Sequence, residues 1–120
     1  MFNTIESLVK AAKAQGSLSE VIIQEEVNDS GFSRERIWEI MASQREVMMQ
    51  SIENGKAGVF SQTGLTGGDA QKLHAYIEKG DMISDPTILT AVQNAMGTNE
   101  VNASMGLICA TPTAGSAGVV

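Results

Sequence analysis

Several residue types are scarce in this chain, and each scarcity excludes a class of protein. The single cysteine, Cys109, excludes an intrachain disulfide and favours a reducing, cytoplasmic location. Eight basic residues stand against fourteen acidic ones, and the net charge of −6 argues against binding to nucleic acid or to anionic membranes. No apolar run approaches the roughly 20 residues that span a bilayer, and the N-terminus lacks the basic segment of a signal peptide.

Aromatic residues are also rare, at 4% of the 120 residues, whereas apolar residues reach 42% and include seven methionines. A chain of this composition is not disordered, and its length suits one domain at most. Cores built from aliphatic residues and methionine are more typical of helices than of sheets. The composition therefore favours a helical domain.

Glycine and charge are unevenly distributed along the chain. Only Gly16, Gly31 and Gly55 precede residue 56, and the remaining glycines follow it. No basic residue follows Lys79 and no charged residue follows Glu100, so that the sequence finishes on an apolar, glycine-rich run. A natural C-terminus is usually polar. We therefore expect a fragment of a longer polypeptide, whose remaining part supplies the surface against which this end packs.

Apolar residues repeat at helical spacing through most of the chain. The predicted helices lie between residues 3 and 16, 17 and 27, 33 and 54, 66 and 78, and 85 and 96. Their expected N-caps are Asn3, Ser17, Ser33, Thr66 and either Ser84 or Asp85. Their expected stops are Gly16, the run Asn28–Gly31, Gly55, Gly80 and Gly97. After Gly97 the last helix can restart toward Met105, and residues 107–120 fit either an extended run or a loop.

The predicted fold class is all-α, a bundle of about five helices with glycine-rich loops, forming a truncated part of a larger helical domain. Within it, residues 1–55 form a helical scaffold and residues 56–120 a glycine-rich segment. Two motifs in the second segment are more specific than the rest of the chain, and each fits either a packing role or a ligand-binding role.

The first motif is Thr63–Leu73, with the sequence TGLTGGDAQKL. It fits a capped helix, in which Thr66 and Asp69 satisfy each other's amides and Gly67 and Gly68 let the chain turn. It equally fits an anion site, because backbone N–H groups at a helix N-terminus bind carboxylates and phosphates, with Lys72 as counter-charge. It is not a phosphate-binding P-loop, since the Gly-Lys-Ser/Thr ending is missing.

The second motif is Ala110–Gly118, in which every side chain is small or neutral. Such a segment allows close approach of the backbone either to a neighbouring helix or to a ligand. In the second case Thr111, Thr113 and Ser116 supply hydroxyl groups. Elsewhere, His74 is the only histidine and lies on a predicted helix, where a surface or half-buried role is more common than catalysis. Cys109 has apolar neighbours and is expected to be a buried, inert thiol.

Three blocks resemble the α chain of the bacterial iron–sulfur L-serine dehydratases. These blocks are Ser61–Leu73, Thr98–Gly106 and Ile108–Val120. The likeness is strong from residue 58 onward and loose before it. It implies a mostly helical chain that works with a β chain in a homo- or hetero-oligomer. It also implies a lyase that converts L-serine to pyruvate and ammonia, a step of amino-acid degradation that supplies gluconeogenesis.

The resemblance further implies a [4Fe–4S] cluster that acts as a Lewis acid on the serine hydroxyl. The cluster cysteines of this family lie in a later part of the chain, so this fragment holds no metal ligand and is expected to be inactive alone. The resemblance implies that the three blocks lie near the active site. The chemistry of their residues then suggests as substrate-binding candidates Thr66, Gly67, Gly68, Asp69, Asn99, Asn102, Thr111, Thr113, Ala114, Gly115 and Ser116. The base is unknown, and Lys72 is a candidate only if burial lowers its pKa.

A second interpretation gives the glycine-rich blocks a packing role alone. The chain is then a non-catalytic helical module for dimerisation or for binding a partner chain. The two interpretations differ in what they predict for charge reversal at Asp69. The site interpretation predicts a folded protein without turnover, and the packing interpretation predicts lost stability.

Overall fold

A computed structural model of the chain describes residues 2–110. The described residues form five helices and no β-strand, which confirms the predicted all-α class. The helices are α1 (Ile5–Gln15), α2 (Leu18–Ser30), α3 (Arg34–Ala57), α4 (Asp69–Glu78) and α5 (Pro86–Ala103). None of these helices combines the length and the apolarity needed to cross a membrane. The chain divides into two compact units between Ser43 and Gln44, inside α3.

In the first unit α1 and α2 pack against each other as a helical pair. The N-cap of α1 is Thr4 and not the predicted Asn3, because the Thr4 hydroxyl accepts the N–H of Ser7 at 3.1 Å. Ser17 caps α2 as predicted and accepts the N–H of Glu20 at 3.1 Å. Helix α2 continues past the predicted end near residue 27, since Gly31 is the residue that adopts the left-handed conformation that ends it.

Helix α3 also runs further than its sequence predicts. Gly55 was the expected stop, yet it lies inside the helix, and the chain leaves the helix at Gly58 with φ of 95°. The N–H of Gly58 donates to the carbonyl of Gly55 at 3.1 Å. The side-chain amide of Gln71 donates to the carbonyl of Ala57 at 2.8 Å, so that α4 satisfies the C-terminal end of α3.

Gly55 lies inside α3 at the point where α5 crosses it at close range. A Cβ atom added to Gly55 would meet the backbone of Gly97, with the carbonyl oxygen only 2.8 Å away. A Cβ atom on Gly97 would lie 3.2 Å from the Cα of Gly55 and 3.5 Å from the Cβ of Ala70, which is fully buried. Gly97 therefore does not weaken α5 as predicted. It is the point at which α3, α4 and α5 meet.

The N-terminal end of α5 is as predicted, and its C-terminal end has a motif that the sequence did not predict. Asp85 is its N-cap and accepts the N–H of Thr87 at 2.8 Å, with Pro86 in the first turn as predicted. At the other end Met105 donates to the carbonyl of Asn102 at 3.0 Å and Gly106 to that of Val101 at 2.8 Å. These two bonds form a Schellman motif, in which Met105 takes the left-handed position, with φ of 65°, where glycine is usual.

We expect Gly55→Ala to destabilise the protein. The added methyl group overpacks the contact with Gly97 at a cost of about 1–3 kcal/mol, which outweighs a gain of about 1 kcal/mol in helix propensity. Gly97→Ala is the matched variant and should cost less, because its Cβ has more room. Urea unfolding measures both. A Gly55→Ala protein more stable than wild type would contradict the close approach.

We expect Met105→Gly to stabilise the protein by about 0.5–1 kcal/mol, because glycine relieves the left-handed strain at small entropic cost. Met105 is largely exposed, so little packing is lost with its side chain. Met105→Ala is the control, since it removes the same side chain and keeps the strain. The free energy of unfolding should rise only for the glycine variant, and equal values for the two would show that the strain is absent.

Candidate functional site

The loop between α3 and α4 is a closed turn that presents the first motif. Ser61 donates its N–H to the carbonyl of Thr66 at 2.9 Å, and its hydroxyl accepts the N–H of Thr66 at 3.2 Å. Inside this turn Gly64 donates to the carbonyl of Ser61 at 2.9 Å. These hydrogen bonds hold Thr66, Gly67 and Gly68 in a fixed conformation at the start of α4.

Helix α4 does not begin with the predicted capping box. Its N-cap is Gly68, with φ of 82° and no side-chain cap, and Asp69 is the first helical residue and not the third. The cap comes from α5, since the carboxylate of Glu100 accepts the N–H of Asp69 at 2.7 Å and that of Ala70 at 3.4 Å. Glu100 is only 8% exposed. The anion that the motif predicts at this helix start is thus an internal carboxylate.

A cleft of about 620 Å³ lies beside this contact in the second unit. One wall is the end of the loop and the first turn of α4, and the other is a face of α5 at helical spacing. Its lining residues are Leu65, Thr66, Gly67, Asp69, Lys72, Met96, Asn99, Glu100 and Ala103. The structure therefore brings together Thr66, Gly67, Asp69 and Asn99 from the predicted set, together with Lys72.

Other predicted site residues lie elsewhere. Gly68 is buried beneath the ring of Phe60 and does not line the cleft. Asn102 is exposed and is also absent from the cleft wall. Five further candidates lie outside the described residues, and these are Thr111, Thr113, Ala114, Gly115 and Ser116.

Lys72 does not meet the condition set for a catalytic base. Its ammonium group lies 2.8 Å from a carboxylate oxygen of Asp69. This hydrogen bond and the negative charge of Asp69 raise the pKa of Lys72 above its usual value, with a smaller contribution from Glu100. Both side chains of the pair are more than half exposed, so their contact adds little to stability. The structure therefore does not show the lowered pKa on which the candidacy of Lys72 as a base depends.

The packing of the loop also requires a glycine at position 67 of the first motif. Gly67 has φ of 127°, and a Cβ atom there would meet the carbonyl of Val59 and lie 2.6 Å from the Cα of Phe60. These contacts hold the loop closed where Phe60 and Gly67 form an isolated bridge. The packing role of this glycine is therefore present in the structure, and the same tight loop forms one wall of the cleft.

Glu100 is the residue of the cleft that reasoning from sequence missed. It sits in the second block of resemblance, and the only available signal was that it is the last charged residue of the chain. An acidic residue inside an otherwise uncharged helical face is seldom buried unless it has partners. Its partners, however, are 30 and 31 residues away along the chain.

The described residues do not fit an iron–sulfur cluster. Within residues 2–110 no group of three His, Cys, Asp or Glu side chains could hold a metal ion. Cys109 is the only cysteine of the sequence and is half-buried, more accessible than the buried thiol that the sequence predicts. A cluster that needs several thiolate ligands cannot be assembled from this set.

Comparison with known proteins agrees with the family to which the blocks of sequence point. The family model described as serine dehydratase alpha chain matches residues 13–120. The chain belongs to the serine dehydratase alpha-chain family. No solved structure matches it.

Three curated relatives carry related names. A probable L-serine dehydratase alpha chain from Bacillus subtilis is 50% identical over the whole of this chain and 40% of its own length. The L-serine dehydratase alpha chain of Peptoniphilus asaccharolyticus is 30% identical over the whole chain and 42% of its own length. A probable L-serine dehydratase alpha chain from Latilactobacillus sakei is 79% identical over 33 residues, 28% of this chain and 16% of the relative. The chain thus spans less than half the length of each relative.

Substitution of Gly67 should destabilise the loop that forms one wall of the cleft, and substitution of Gly64 should destabilise it much less. Both glycines have positive φ, so alanine costs about 1 kcal/mol of backbone strain at either position. Gly64→Ala meets no atom within 4 Å, whereas Gly67→Ala also pushes into Val59 and Phe60. We expect Gly67→Ala to lose about 1–3 kcal/mol more than Gly64→Ala in urea unfolding. Equal losses would show that the loop is not held closed at Gly67.

Proposed function

We propose that this chain forms the substrate side of an L-serine dehydratase, a lyase that converts L-serine to pyruvate and ammonia. Membership of the family supports the proposal, and the observation that carries it is the cleft. Residues from two separate blocks of resemblance, Asp69 and Asn99, line it from opposite walls. Residues far apart in sequence that meet in one concave site are the usual arrangement of a ligand-binding site.

The acidic wall of the cleft suits the ammonium group of serine. Asp69 is half-exposed at the rim and Glu100 lies deeper, and Lys72 offsets one of the two negative charges. Asn99 and Thr66 add neutral donors and acceptors that can hold the serine hydroxyl without changing the net charge. These contacts would orient the zwitterion for removal of its Cα proton.

The substrate carboxylate needs other partners. The N–H groups of Asp69 and Ala70, predicted as its binding site, already donate to Glu100. The proposal therefore gives the first turn of α4 no direct contact with the carboxylate. The carboxylate would be held by groups of the longer protein, which would also provide the base, the [4Fe–4S] cluster with its cysteine ligands, and contact with a β chain in the oligomer.

The proposal is tested by anaerobic iron–sulfur reconstitution followed by an assay of serine conversion to pyruvate. The full-length α chain with its β partner is compared with residues 1–120 alone. We expect iron uptake and pyruvate formation only for the full-length protein. A full-length protein that takes up no iron and ignores serine would contradict the proposal.

Asp69→Lys in the reconstituted full-length enzyme tests the role of the cleft within the same experiment. The ion pair it removes is exposed, so the variant should fold, whereas kcat/KM for serine should fall at least about tenfold through repulsion of the ammonium group. Asp81→Lys is the control, because Asp81 is exposed and lies outside the cleft. If the folded Asp69→Lys variant keeps full activity, the cleft is not part of the substrate-binding site.

An alternative function has one observation in its favour. Helix α1 has no buried residue, and its apolar side chains, with Ile5 80% exposed, line a groove shared with Leu18 of α2. Such a face is typical of a helical module that dimerises or binds a partner chain. Under this alternative Asp69→Lys lowers the stability of the protein and leaves the serine affinity of any remaining activity unchanged.

A further inference from the structure

We infer that Glu100 is a positioning residue that fixes the first turn of α4 against α5, keeps other anions from that turn, and makes the cleft select ligands by their amino group. The inference rests on the proposed function. The inference also extends the proposed function, because the resemblance assigns no role to Glu100.

The first step is the position of the carboxylate. Glu100 lies one turn beyond Gly97, where α5 packs against Gly55 and Ala70. From there its carboxylate reaches the first two amides of α4, with the shorter bond of 2.7 Å to Asp69. The hydrogen bond from the Asp69 N–H to Glu100 fixes the backbone of Asp69. The Asp69 side chain therefore extends from a defined point on the rim of the cleft. Glu100 acts on a ligand partly through Asp69.

The second step is competition for the helix N-terminus. The first amides of a helix attract anions, and here the internal carboxylate satisfies the first two amides of α4, those of Asp69 and Ala70. Glu100 is buried at a meeting of three helices, where an incoming carboxylate would have to displace a negative charge that is already hydrogen-bonded to these amides. The fixed carboxylate therefore excludes ligand carboxylates from this turn.

The third step is the charge that remains for a ligand. The charged groups lining the cleft are Asp69, Glu100 and Lys72, whose charges sum to −1. A cleft with this balance attracts a cationic group and repels an anionic one. An amino acid therefore enters with its ammonium group toward α4 and α5, and a hydroxy acid without that group loses this contribution.

Two conservative variants of the full-length holoenzyme separate charge from position. Glu100→Gln keeps the length of the side chain and one acceptor for Asp69 but loses the charge. We expect its KM for serine to rise roughly five- to tenfold, as for removal of one unit charge near an ammonium group. Inhibition by 3-hydroxypropionate, which lacks the amino group, should stay equal or become tighter. A merely structural role would weaken both ligands together.

Glu100→Asp keeps the charge but shortens the reach by one methylene group. We expect its preference for serine over 3-hydroxypropionate to persist while kcat falls, because the first turn of α4 is no longer held in place. Glu78→Gln is the control, since Glu78 is an exposed carboxylate at the far end of α4. Variants at Glu100 that match this control in kcat, KM and inhibition would overturn the inference.

Hydrogen exchange supplies a measurement that does not depend on activity or on any variant. In the wild-type full-length α chain, the amides of Asp69 and Ala70 should exchange slowly, at a rate unaffected by saturating 3-hydroxypropionate. Faster exchange at these two amides on its addition would mean that the ligand displaces Glu100, which would overturn the inference. A protein that passes this measurement but does not convert serine would contradict the proposed function alone.

Discussion

The contact of Gly97 with Gly55 and Ala70 is the constraint on which the second unit depends. Two helical glycines allow α3 and α5 to approach to backbone distance, and the small Ala70 brings α4 into the same contact. Any larger side chain at these positions would separate the helices. The separation would also move Glu100, which follows Gly97 by one turn, away from the amides it caps. Packing and site geometry are therefore fixed by one contact.

Glu100 links this packing to chemistry. A buried carboxylate is costly unless it is well hydrogen-bonded, and a helix N-terminus supplies N–H donors together with a favourable dipole. In return, α4 obtains the cap that its own N-cap, Gly68, cannot provide because glycine has no side chain. One interaction between distant parts of the chain thus stabilises the helix start and gives the cleft its negative charge.

Local signals predicted much of the fold. The five helices, the caps at Ser17 and Asp85 and the stops at Gly16 and Gly31 depend on residues within one or two turns, and the structure has them. Gly55 and Gly97 resemble stop signals because glycine at a helix end and glycine at a helix crossing look the same in sequence. The difference is set by a residue more than forty positions away, which no local pattern contains.

The candidate site was predictable to a similar depth. Two of the three blocks of resemblance contain Thr66, Gly67, Asp69 and Asn99, which the structure gathers around one cleft. The orientation of the helix start was not predictable, since it depends on whether Thr66 or a distant carboxylate supplies the cap. A capping box and an anion site share the same local sequence, and only the tertiary contact with Glu100 distinguishes them.

Under the proposed function, the charges in the cleft determine which groups of the substrate the described residues bind. A zwitterionic substrate needs a negative partner for its ammonium group and donors for its carboxylate. Among the described residues that line the cleft, the one cation, Lys72, is already paired with Asp69, and the nearest helix amides are paired with Glu100. Under the proposed function, the described part of the chain supplies partners for the ammonium group of the substrate. The proposal then requires donors for the carboxylate from groups outside the described residues.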